Sequence, residues 1–135
     1  MASKAVVAAV KARAATWAKA TIVGPNEVAE TPEDGSPFVR IDYPLADSRA
    51  LTFGAPGANI YREEGVFRLI IHVPRFGGLD GGLEWADELA SLFRGKEFDG
   101  VQTFAPSPPA TDNDNENGMY FVLAVAVPDQ FDLIG

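Results

Sequence analysis

Asn59–Pro74 reads NIYREEGVFRLIIHVP and carries the strongest β signal in the chain. Phe67, Leu69, Ile71 and Val73 fall on one side of an extended backbone, and Val66, Arg68, Ile70 and His72 on the other. This period of two predicts a strand with one thoroughly apolar face and one mixed face. Gly65 interrupts the pattern and predicts a bulge or bend, because a glycine inside a strand often marks one.

Downstream, Phe76–Gly82 reads as a glycine-rich turn. Leu83–Arg94 then reads as a helix with Leu83, Ala86, Leu89, Ala90 and Phe93 on one stripe. Glu84, Asp87 and Glu88 place acid near its start, and Gly95 is suited to its end. Val101–Ala105 reads as a strand, residues 106–118 as a polar loop, Met119–Val127 as a strand and Asp129–Gly135 as a short tail. Upstream, Phe38–Tyr43 alternates, with Val39, Ile41 and Tyr43 opposed to Arg40 and Asp42. Arg49–Phe53 is a short strand candidate, broken by GAPG at 54–57. Thr21–Val23 is a weak extended piece before a loop at 24–37 rich in proline, glycine and acid. Residues 3–19 read as an alanine-rich helix with Ser3 as N-cap and Val6, Val10, Ala14 and Trp17 as its apolar stripe.

The predicted order is α-β-β-β-β-α-β-β, without the alternation of a parallel βαβ sheet. The expected fold is α+β, a single domain over residues 1–135 with an antiparallel sheet of four or five strands and both helices on one face. The expected core includes Val6, Val10, Leu69, Ile71, Leu89, Phe93, Phe121, Leu123 and Val125.

Composition narrows the function classes. Apolar residues make up 47% and charged residues 22%, which argues against global disorder. No apolar run has the length of a membrane-spanning helix, and no convincing secretion signal opens the chain. There is no cysteine, so disulfides, thiolate metal sites and a cysteine nucleophile are excluded. His72 is the one histidine, so a multi-histidine metal site cannot form within one chain. The net charge is −8. Residues 1–20 hold Lys4, Lys11, Arg13 and Lys19 and no acid; the other seven basic and nineteen acidic residues give the body −12. An acidic body repels phosphate chains, so DNA should slide past rather than bind.

No motif carries catalytic chemistry. The loop TDNDNENG at 111–118 invites a calcium reading through Asp112, Asp114 and Glu116. That register puts Asn117 where the loop needs glycine and Leu123 where it needs glutamate; shifted by one, it begins on Asn113 and ends on Ala124. Gly77-Gly78 and Gly81-Gly82 precede a helix, but neither phosphate-loop pattern is present and acids follow. No serine lies in a nucleophile elbow. No catalytic residue, cofactor or metal is expected. Core packing is the simplest role for Trp17, while Trp85, on the acidic side of its helix, is an interface candidate.

The order of segments resembles the tail terminator family of long-tailed phages and gene transfer agents. The resemblance runs from Ala14-Ala15-Thr16-Trp17 through Ile22-Val23-Gly24-Pro25-Asn26-Glu27 to Pro37-Phe38-Val39-Arg40-Ile41. It continues with Tyr61-Arg62-Glu63-Glu64-Gly65, the strand ending Val73-Pro74, the helix Trp85–Phe93 and the closing strand Met119–Val127. It implies a non-enzymatic virion protein, assembled in the host cytoplasm and placed at the head-proximal end of the tail. There a homohexameric ring would cap the tail tube, stop its polymerisation and meet a head-tail connector protein. DNA would pass through the lumen without specific binding, and no membrane would be involved. The alternatives are a head-closure protein, a connector adaptor or another minor tail protein. A monomeric binding domain and an acid-based hydrolase remain as readings from other classes. Six-fold closure needs two different patches per protomer. The candidates are Arg68 and His72 on the mixed strand face, Gly77 and Gly78 in the turn, Trp85, and the basic helix face with Lys11 and Arg13. Lys4, Lys11, Arg13 and Lys19 are expected to face away from the channel, because each phosphate contact would have to break as DNA moves.

Overall fold

The computed structural model describes residues 1–27, 35–111 and 120–135. In chain order the elements are α1 (Lys4–Ala14), β1 (Ile22–Val23), β2 (Phe38–Ala50), β3 (Ile60–Pro74), α2 (Asp80–Phe93), β4 (Glu97–Phe98), β5 (Val101–Thr103), β6 (Ala110–Thr111) and β7 (Tyr120–Ile134). They form one sheet in the order β1-β2-β3-β7-β5-β4, with β6 also paired to β7.

The β3 alternation becomes the axis of the molecule. Its register places Ile71 between Val39 and Leu123, and Leu69 between Ile41 and Val125. Those side chains face the helices and join Val6, Val10, Leu89 and Phe93 in one buried cluster. Both helices therefore cover the same face, as expected for α+β. Of the nine expected core residues, eight are buried and Phe121 packs partly buried against them. Phe67, Leu69 and Ile71 have no exposed surface, so truncating any of them to alanine costs about 2–5 kcal/mol.

The sheet corrects the expected four or five antiparallel strands. It has seven strands and is mixed, because β1 runs parallel to β2 through Ile22↔Val39 and Val23↔Arg40. A parallel neighbour needs a return connection of a dozen or more residues, and fourteen residues, 24 to 37, separate the two strands in sequence. Strands β1, β4 and β6 have two residues each, too few to show a period.

Element boundaries also move. The strand expected at 38–43 runs on past Pro44 to Ala50, through a register shift between Asp42 and Leu45, and takes in only the first two residues of the strand expected at 49–53. The irregularity expected at Gly65 falls instead in β2, at Tyr43 and Pro44 opposite Phe67, while Gly65 stays in register with Ala46 and Asp129. A Cβ on Gly65 would lie 2.7 Å from the Leu45 carbonyl oxygen, so only glycine fits beside the bulged strand. Strand β7 runs seven residues beyond the expected end at Val127. Pro128 is tolerated because its carbonyl accepts from the Phe104 N–H, on the side away from β3. Its missing donor therefore leaves the β3 ladder intact.

Helix α1 ends at Ala14 rather than Lys19. The Thr16 hydroxyl donates to the Arg13 carbonyl, offering the backbone a turn in place of another helical residue. Ser3 does sit at the N-cap with extended dihedrals, but its side chain makes no cap bond. Helix α2 starts at Asp80 rather than Leu83, so the second glycine pair is its first turn and not a loop. Gly82 is buried there; a Cβ would come within 3.0 Å of Leu123 and 3.4 Å of Val73. The missing side chain lets the helix approach the sheet. Leu83 is more exposed than its place on the expected stripe implied.

The outer edge of β2 is blunted beyond its pairing with β1. Pro44 has no N–H, and the Ser48 N–H donates to the Asp47 carboxylate at 2.8 Å. Asp112, Asp114 and Glu116, whose calcium reading failed on spacing, and Met119 lie outside the described residues.

Candidate functional site

The sheet face away from the helices carries two kinds of surface. Near the start of β2, Phe38 stacks on His72 with ring centroids 4.3 Å apart, and Tyr120 meets both rings edge-on. The Tyr120 hydroxyl donates to the Ser36 carbonyl at 2.9 Å. Phe38, Ile70, Tyr120 and Val122 form a second, smaller buried cluster there. Further along, cross-strand ion pairs take over: Arg68 with Asp42, Arg49 with Glu64, and Arg62 with Asp132. The Arg62–Asp132 and Arg68–Asp42 pairs are bidentate. The Arg62 hydrogen bond holds the Asp132 carboxyl below the usual range. Arg40, opposite Ile70, and Asp47, opposite Glu64, share this face, which thus carries four arginines and four carboxylates.

The basic groups of the first twenty residues are largely engaged within the chain. Lys11 pairs with Glu27 at 2.6 Å. Arg13 donates from Nε to the Leu92 carbonyl at 2.8 Å and lies over the Phe98 ring. Lys19 pairs with Glu88, which also accepts from Trp17 Nε1 at 2.9 Å. The Lys19 and Trp17 hydrogen bonds hold Glu88 below the usual carboxylate range. Trp85 meets Trp17 edge-on at 5.0 Å and is half-buried, so it ties α2 to the end of α1. Outward from it, Asp80, Leu83, Glu84, Asp87 and Ser91 make an acidic stripe along α2.

A buried acidic pair lies under the start of α1. Glu63 and Asp129 are 8% and 4% exposed. Glu63 accepts from both Ser3 N–H and Ser3 Oγ, at 2.8 and 2.7 Å. Burial first, and the Glu63 charge second, push the Asp129 carboxyl up to about 6. Burial also raises the Tyr43 phenol to about 12.

Exposed apolar residues gather at the two ends of β3. At one end stand Leu51, Phe53, Ile60, Leu133 and Ile134, with Phe53 94% exposed. At the other, in the turn holding Gly77 and Gly78, Phe76 is 98% exposed. Phe76 has φ 65, a left-handed conformation for a bulky residue, which costs about 1–2 kcal/mol. Fifteen strand residues separate these ends by about 50 Å. Between α1 and β1–β2 lies an apolar hollow of about 130 Å³, lined chiefly by Val7, Ala15, Ile22, Pro25, Ile41 and Tyr43, with Lys11 and Glu27 at its rim.

The residues singled out from sequence therefore occupy separate regions. Arg68 and His72 share the sheet face away from the helices. Gly77 and Gly78 lie in the β3–α2 turn, Trp85 in the α1–α2 contact, and Lys11 and Arg13 on α1. Phe76, Phe53 and the hollow were not anticipated; an aromatic flanked by glycines, RFGG at 75–78, is the signal that could have drawn attention to the first. Among the described residues no group of three or more histidine, cysteine, aspartate and glutamate side chains could hold a metal ion. No helix among them is long and apolar enough to cross a membrane.

Paired surface charge, exposed apolar tips and a small apolar hollow give the described surface the character of one built for contact with other proteins. The family comparison gives that character its particular form: residues 5–128 match the phage tail terminator protein family, and the chain belongs to it. It is a non-enzymatic component of a phage tail. One solved structure shares the fold with a TM-score of 0.66 and 17% identity, covering 100% of this chain and 99% of that one. No curated protein matches.

Proposed function

We propose that six copies of this chain form a ring that caps the tail tube at its head-proximal end. The ring stops tube polymerisation, offers the head-tail connector protein its docking surface, and lets DNA pass through its lumen. The match to the terminator family over residues 5–128 carries this reading. Two features of the surface support it. The paired ladder Asp42–Arg68, Glu64–Arg49 and Asp132–Arg62 holds three of this face's four arginines against carboxylates, so a lumen built from this face would grip phosphates only weakly. The apolar end at Phe53, Ile60 and Ile134 and the acidic stripe of α2 are unlike surfaces, as two different partners require.

The test has two arms. Native mass spectrometry and electron-microscopy class averages of the purified chain, alone and on tail tubes, should give a six-fold ring at one tube end. Phage lacking the gene should make tubes of uncontrolled length. Normal tails in its absence would end the terminator reading, and another symmetry on the tube would end the hexamer.

A further inference from the structure

We propose that Phe76 is the knob of the contact between protomers and seats in the hollow between α1 and β1–β2 of a second copy of this chain. This rests on the ring reading, since it names the contact that would close the ring. Phe76 combines near-complete exposure with a left-handed backbone. Both features are unfavourable in an isolated protomer, and strain of this kind persists where a function uses it. Among the described contacts its ring meets only the Arg75 guanidinium, 5.8 Å from the centroid. Burial of the ring in a partner offsets both.

The hollow matches the knob in size and chemistry. It measures about 130 Å³, and an apolar cavity of about 150 Å³ takes up benzene. Its walls are aliphatic side chains and the Tyr43 ring. The rim carries Lys11 and Glu27 as an ion pair, so it presents no net charge against an apolar knob. A Cβ built on Gly78 meets nothing within 4 Å, so the turn leaves room for a neighbouring surface to approach. Phe53 is also exposed but has no positive φ. Knob and hollow are different patches, so their union is heterologous and propagates from copy to copy until it closes.

The natural chain has no cysteine, which makes engineered ones clean reporters. Under mild oxidation, a mixture of full-length Phe76→Cys and Ala15→Cys chains should give a 76–15 cross-linked heterodimer. A chain carrying both substitutions should give a ladder ending at the ring. Phe76→Ala should weaken each contact by about 10- to 100-fold, the value of burying one such side chain. Phe76→Asn, which tolerates the left-handed turn, should do the same, while Phe76→Leu should keep most of the affinity. Circular dichroism and thermal melting of the diluted protomer check that each variant folds. A ring of unchanged strength in Phe76→Ala without a 76–15 cross-link overturns the knob and leaves the ring reading standing. A cross-link from position 53 to position 15 in its place does the same. A 76–15 cross-link in open chains that never close supports the knob and overturns the ring. A monomer without cross-links, on and off the tube, overturns both.

Discussion

The Glu63 carboxylate receives both the backbone N–H and the hydroxyl of Ser3, sixty residues away in sequence. The start of α1 is therefore fixed to β3 by a buried acid rather than by its own cap. Glu63→Gln should destabilise the protein by about 1–2 kcal/mol, since it weakens charge-assisted bonds without removing the side chain's bulk. It should also move the Asp129 titration downward, because the Glu63 charge contributes to the raised value. Urea unfolding and a carboxyl NMR titration read the two effects. An Asp129 titration unmoved in the variant would disconnect the pair.

Asp129 gives stability an unusual dependence on pH. Its folded value of about 6 lies above the ordinary aspartate value, about 3.9. The native state thus holds this proton more tightly than the unfolded chain. The group's contribution is fully present below about pH 4, falls as pH rises through about 4–6, and is level above. Asp129→Asn should remove that slope and stabilise the protein on the order of 1–3 kcal/mol at pH 7–8. Glu27, Glu88 and Asp132, held low chiefly by hydrogen bonds from Lys11, Lys19 and Arg62, act in the opposite sense. Their contributions are lost as pH falls below about 4. Denaturant midpoints from pH 3 to 8 compare wild type and variant, and parallel curves between 4 and 6 would refute the assignment.

Gly65→Ala should be costly because the added Cβ meets a backbone oxygen, which cannot swing away. The expected loss is about 1–3 kcal/mol, in the range of core overpacking. Gly57→Ala is the comparison: its Cβ meets nothing within 4 Å, so its cost comes from φ 84 alone. Melting temperatures of the two variants separate crowding from backbone conformation. An unaffected Gly65→Ala would mean the bulge can relax.

Thr103 has no exposed surface, and its hydroxyl lies in hydrogen-bond reach of three backbone groups, the Phe93 and Lys96 carbonyls and the Lys96 N–H. It donates to the Phe93 carbonyl at the end of α2 and accepts from the Lys96 N–H at 3.0 Å. Thr103→Val keeps the shape and leaves both groups without that partner, for an expected loss of about 1–3 kcal/mol. Hydrogen exchange at Lys96 should quicken in the variant; unchanged protection there would show that the hydroxyl is dispensable.

The long elements were legible because each repeats its period several times. Leu69, Ile71, Leu123 and Val125 announce their side of the sheet whatever packs on them. Two-residue strands such as Glu97–Phe98 repeat nothing, and the sequence could not reveal them. Gly81-Gly82 reads as a turn on propensity, yet packing against Val73 and Leu123 makes a helix there. Pro128 reads as a stop, yet its nitrogen points where no β3 bond is needed. The assembly surfaces were harder still. Lys11 and Arg13 read as an open basic face because their partners, Glu27 and Leu92, lie in segments no local pattern links to α1. Phe76 declares itself only through its exposure and its φ, neither of which the letters Arg-Phe-Gly-Gly contain.

Pro44 and the Asp47–Ser48 bond deny the rim of β2 two of the donors that an incoming strand would seek. A long uncapped rim would recruit extended segments from nascent or misfolded chains and seed amyloid-like stacks. The blunted rim lowers that hazard, and leaves side chains rather than backbone to choose its neighbours.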